Sequence, residues 1–87
     1  VLTYHAAYKH EDSIVLGEVI DFPGTVSFGH SLDDARINLA GALRDMAETN
    51  LFQGESLPLP NDLADDPDAD VDEPIYLVEK LPSRWYA

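Results

Sequence analysis

The chain has 87 residues, no cysteine, and a formal net charge of −12, with five basic residues against seventeen acidic ones. That length makes one small domain with a thin core, and the missing cysteine removes disulfides, thiolate chemistry and cysteine-based zinc sites. The charge excludes the Lys and Arg neutralisation of phosphates on which nucleic-acid affinity rests, and it disfavours anionic lipid while favouring a basic partner. No apolar run reaches bilayer length and no signal-peptide pattern opens the sequence, so no membrane association and a cytoplasmic setting are expected.

LTYHAAYK (2–9) alternates well enough for a strand, with Leu2, Tyr4, Ala6 and Tyr8 on one face. HEDS (10–13) is a polar turn, and IVLGEVI (14–20) reads as a central strand because it is apolar on both faces. Pro23-Gly24 breaks it, and TVSFG (25–29) makes a shorter third strand. Connections this short predict an antiparallel meander.

Ser31 is placed to cap a helix, with Asp33 and Asp34 at the positive end of its dipole and Asp34 at capping-box spacing. Leu32, Ala35, Leu39, Ala42, Leu43 and Met46 follow at helical spacing as the buried face, and Gly54 is the expected stop. ESLPLPN (55–61) is extended by its prolines, and PIYLVEKL (74–81) is a fourth strand. The order β-β-β-α-β is an α+β domain in which one helix can cover only one face of the sheet. Ile14, Leu16 and Ile20 lie on one side of the second strand, and Val15 and Val19 on the other. Leaving either set in water costs several kcal/mol at roughly 25 cal/mol per Å². The uncovered face is therefore expected to meet another subunit or a partner.

Seven of the seventeen acids fall in residues 62–73, with no base among them. Such a block reads as a solvated, flexible loop over 61–73. Its carboxylates Asp65, Asp66, Asp68, Asp70, Asp72 and Glu73 are the candidate surface for a basic partner. Asp68, Asp70 and Asp72, with Ile75 and Glu79 beyond, have EF-hand spacing, but Glu73 stands where the loop needs glycine and Pro74 lies inside the run. A solvated acidic loop is the better reading. His5, His10 and His30 lack metal-ligand spacing and read as scattered surface histidines. No G-x-S-x-G elbow occurs, and Ser31 is a cap. Trp85 and Tyr86 suit either a partner anchor or the edge of the core.

GEVIDFPGTVSFGHSLDDA (17–35), then INLAGALRDM and GESLPLP, resembles the short HicB-like antitoxins over roughly residues 3–63. Asp21, Phe22, Pro23 and Gly24 match the family turn, and Gly29, His30 and Ser31 match the helix start. Asp33, Asp34 and Ala35 match the acidic pair and small residue, and Leu57-Pro58-Leu59-Pro60 matches the exit. Ile20 and His30 depart from the family's usual Pro and Asp.

The resemblance implies a partial RNase H-like fold with the fourth strand returning beside the first, a single domain over 1–81 and a tail over 82–87. It implies a non-catalytic antitoxin, without cofactor or metal, that binds a small basic HicA-type mRNA-cleaving toxin. A homo-oligomer, dimer or tetramer, is expected. The alternative is an orphan homo-oligomeric scaffold of the same fold without a toxin. Many members add a DNA-binding segment, for which no room is expected after Leu81. An RNase H-like nuclease would need carboxylates converging on two metals about 4 Å apart. Residues 2–9 supply none, and Asp45, Glu48 and Glu79 do not complete a set.

Overall fold

The computed structural model describes residues 1–78. The elements run β1 (Leu2–Glu11), β2 (Ile14–Val19), β3 (Val26–Gly29), α1 (Leu32–Phe52) and β4 (Val71–Leu77). Asp12 takes a positive φ of 54° in the tight β1–β2 turn, a conformation that Asp and Asn tolerate better than most residues. Backbone bonds from Phe22 to the Val19 carbonyl and from Thr25 to the Phe22 carbonyl then wind the chain into β3, with Gly24 at φ +89°.

The sheet order is β3-β2-β1-β4, with every pair antiparallel. The meander and the returning fourth strand are both as expected. The register fixes the faces: Tyr4 lies opposite Ile75, Ala6 lies opposite both Val19 and Glu73, and Tyr8 opposite Gly17. These residues, with Val15 and Leu77, look toward the helix and pack on Ala35, Leu39, Leu43 and Ala47. Leu32 and Met46 pack against the margin of this core, whereas Ala42 is only half-buried and Ala47 is fully inside. A four-residue row runs straight down the helix, and the expected face was rotated slightly away from it at its C-terminal end.

Two boundaries move by more than one residue. β1 continues to Glu11, because the turn is only two residues long. β4 begins at Val71, three residues before Pro74, so Asp72 and Glu73 belong to a strand. Pro74 is tolerated because β4 is an edge strand whose outer side owes no ladder bond. The rest of the expected strand, from Glu79 to Leu81, lies outside the described residues, as do Trp85, Tyr86 and the tail. No helix among the described residues is long and apolar enough to cross a membrane.

Candidate functional site

The matched turn is built around one carboxylate. The Asp21 side chain is 2% exposed and faces His5 Nδ1 at 2.8 Å. It also accepts the His5 backbone N–H at 2.8 Å and the Asn61 N–H at 2.9 Å. Burial works against its charge, but the bonds from Asn61 and His5 prevail and hold its pKa below the ordinary carboxylate value. Phe22 beside it meets the Tyr4 ring edge-on at 5.4 Å, and the Tyr4 hydroxyl donates to the Pro58 carbonyl at 2.7 Å. Asp21 and Tyr4 thus fasten the proline-rich exit to β1, and the exit delivers the acidic segment to the sheet.

The helix start is equally local. Ser31 Oγ accepts the Asp34 N–H at 3.1 Å, and Asp34 Oδ2 accepts the His30 N–H at 3.0 Å. Gly29 lies directly beneath this turn. A Cβ there would sit 2.7 Å from the Asp34 carbonyl carbon, and closer still to the Ala35 backbone nitrogen.

The six candidate carboxylates divide into two groups. Asp66 meets Lys9 Nζ at 3.2 Å and accepts the Asp68 N–H at 3.0 Å. Asp70 accepts the His10 N–H at 2.7 Å and lies 3.3 Å from its ring. Glu73 takes a forked pair from Arg36, at 2.7 and 2.9 Å. Backbone N–H groups, of Asp68 and His10 respectively, lead in holding the Asp66 and Asp70 pKa values down. Beside the Arg36–Glu73 pair, burial and the Glu73 charge push the Tyr8 phenol up to about 12. By contrast, the side chains of Asp65, Asp68 and Asp72 have no hydrogen-bond or ion-pair partner among the described residues and face outward. The segment read as a free loop is therefore pinned at Asn61, Asp66 and Asp70, and three of the six candidate carboxylates remain available.

Of the three histidines, His5 and His10 are not the isolated surface groups expected. Each is the partner of an aspartate, and only the backbone of His30 is engaged. The missed signal was long-range, since Asp21 and Asp70 lie 16 and 60 residues away in sequence. The EF-hand spacing does not wind into a loop. Asp70 is held by His10, and Asp72 and Ile75 occupy opposite faces of β4. The described residues contain no group of three or more His, Cys, Asp or Glu that could hold a metal.

The sheet face away from the helix carries a shallow groove of about 640 Å³, lined among others by Lys9, Leu16, Glu18, Val26, Phe28 and Asp66. Val26 and Phe28 are more than half exposed, and Leu16 is 36% exposed. This is the apolar face whose cover the sequence left open.

No protein-family profile and no curated protein matches the chain. Solved structures do, among them two crystal structures of an antitoxin. The N-terminal domain of the Burkholderia pseudomallei antitoxin HicB is 25% identical, with a TM-score of 0.74 over 90% of this chain and 100% of that domain. The full antitoxin HicB of the same organism is also 25% identical, with a TM-score of 0.73 over 88% of this chain, which spans 64% of its length. The resemblance read from the turn, cap and exit therefore holds in three dimensions.

Proposed function

The chain is HicB-like in sequence motif and fold, and from that premise we propose that it is a non-catalytic antitoxin that binds and neutralises a small basic HicA-type mRNA-cleaving toxin. The observation that carries the proposal is the match to the whole of the HicB N-terminal domain. The charge supports the choice of partner: a chain at −12 attracts a protein that must itself attract RNA.

In this reading Asp65, Asp68 and Asp72 are offered to the toxin's basic, phosphate-binding surface and compete there with RNA. Asp66, Asp70 and Glu73 hold the segment in shape through Lys9, His10 and Arg36. The chain acts in the cytoplasm, by protein contact alone, without cofactor and without touching nucleic acid or membrane. Electrostatic steering makes the encounter fast and salt-sensitive.

The test is a pull-down from host lysate with this chain as bait, at low and raised salt, with bound proteins identified by mass spectrometry and assayed for ribonuclease activity. The expected result is a small basic ribonuclease, silent in the complex and active once salt releases it. Recovery of only the bait's own copies at both salts overturns the reading in favour of an orphan self-associating scaffold.

A further inference from the structure

We infer that Leu59 and Leu63 are apolar anchors of the partner contact, a pair of side chains that seat in an apolar hollow ringed by basic residues on the toxin. The inference rests on the antitoxin reading and names the contact that keeps the toxin bound once charge has brought it in.

Both leucines stand almost wholly in water, Leu59 at 87% and Leu63 at 89% exposed. One exposed leucine is ordinary on a protein surface. These two lie on either side of Asn61, in a stretch whose backbone is fixed along its length. Leu59 stands between Pro58 and Pro60, which lock their own φ and keep the residues before them extended. The Tyr4 hydroxyl holds the Pro58 carbonyl at 2.7 Å, and Asp21 holds the Asn61 N–H at 2.9 Å. Asn61 then closes a tight turn. Its side-chain oxygen accepts the Leu63 N–H at 3.0 Å, and its carbonyl accepts the Ala64 N–H at 2.9 Å. Asp66 ties the far end to Lys9.

Leu57, two residues before Leu59, packs against the core. The extended exit thus turns one leucine into the fold and the next out of it. Neither Leu59 nor Leu63 stabilises the domain from where it stands, yet the chain around them is already ordered. Little backbone freedom is left to lose on binding, which is the advantage of a preorganised contact. The other most exposed large apolar residues, Val1, Ile37, Phe52 and Val78, lie outside this stretch.

Charge selects the occupant. Asp62 and Asp65 flank Leu63, and Asp68 follows; their side chains make no hydrogen bond or ion pair among the described residues. Lys9, the base that meets this stretch, is already taken by Asp66 at 3.2 Å, and the charges of Asp68 and Glu18 reach it as well. His10 and Arg36 are engaged further on, by Asp70 and Glu73. A second copy would set the same unpaired carboxylates against these, and an anionic lipid surface would be repelled in the same way. A basic protein surface with an apolar hollow meets both demands at once. The two kinds of residue then act at different stages. The free acids act on the encounter, whereas the leucines lose their water only in the docked complex and act on its lifetime.

The test uses the wild-type chain and a Leu59→Ala, Leu63→Ala double variant as parallel baits in host lysate, followed by surface-plasmon kinetics of the recovered ribonuclease on each. The ribonuclease is expected to leave the double variant about tenfold faster or more, at an unchanged association rate and salt dependence, because no charge is altered. The melting temperature stays at the wild-type value, since both side chains are in water. Ile37→Ala, at a residue 71% exposed on α1, leaves dissociation as in wild type and shows the effect to be local. A ribonuclease that leaves the double variant at the wild-type rate overturns the inference and leaves the antitoxin reading standing. So does an equal acceleration in Ile37→Ala. A wild-type bait that holds no ribonuclease overturns the reading and this contact with it, and own copies held only while the leucines are present would make the occupant a second chain.

Discussion

Asp21 shows how much one side chain can hold in a domain this small. Its carboxylate receives two backbone N–H groups and one imidazole, from β1 and from the exit segment. Asp21→Ala would leave the His5 and Asn61 N–H groups without their acceptor, a loss of about 3 kcal/mol for a buried charged hydrogen-bond centre, read as a lower urea midpoint at unchanged m-value. The pH sign follows from the depressed pKa. The contribution is complete above the unfolded value of about 3.9 and is lost as pH falls through the lower folded value. Acid titration of stability should therefore show a decline below about pH 4 that is shallower in Asp21→Asn. Thr25 gives the opposite case. Its hydroxyl is buried without a partner among the described residues, so Thr25→Val removes an unsatisfied group and is expected to raise stability by about 1 kcal/mol in the same urea titration.

The helix and its entry were the most legible elements, because their determinants are local. Ser31 caps the Asp34 N–H as the spacing implies, Asp34 reaches back to the His30 N–H in place of that of Ser31, and Gly54 ends the helix at φ +75°. What sequence could not show is that Gly29 is small because the first turn of α1 lies on top of it. Gly29→Ala drives a methyl group into the Asp34–Ala35 peptide, which is backbone and cannot rotate away. The cost is expected to be about 2–3 kcal/mol, against about 1 kcal/mol for the lost cap in Ser31→Ala, both measurable by thermal melting. The less legible elements were set by partners distant in sequence. The acidic segment reads as solvated by composition, yet its N-terminal side is held by Asp21 and its C-terminal side by Tyr8 and His10, pairings that no local pattern carries. β4 starts early for the same reason: the register with β1 continues to Tyr8 opposite Val71, and ladder bonds override the poor strand propensity of Asp and Glu.

At the scale of the molecule, the question is which of the seventeen acids serve the fold and which serve a partner. Within the acidic segment the structure separates them. Asp66, Asp70 and Glu73 are tied to Lys9, His10 and Arg36, whereas the side chains of Asp65, Asp68 and Asp72 make no hydrogen bond or ion pair among the described residues, the Asp68 charge alone reaching Lys9. Like charges held close without counter-ions contribute nothing to stability at low ionic strength and repel one another. Replacing Asp65, Asp68 and Asp72 together by Asn should therefore leave the melting temperature unchanged or slightly raised. If these three meet a basic toxin, the same replacement should slow association by about tenfold and flatten its dependence on salt, with a smaller effect on dissociation, because rim charges act mainly on the encounter. Stopped-flow or surface-plasmon kinetics at two salt concentrations separates these effects. An association rate that is unchanged while the complex still forms would move the toxin contact elsewhere, to the acids of α1 or the open sheet face. The matched set Asp66→Asn, Asp70→Asn and Glu73→Gln provides the contrast. It removes the same formal charge, so steering falls by a similar factor, but it also releases the segment from β1 and α1 and should lower the melting temperature. Only a toxin that reads total charge alone would treat the two triple variants alike; one that docks on the ordered segment should lose affinity more steeply when the anchors go.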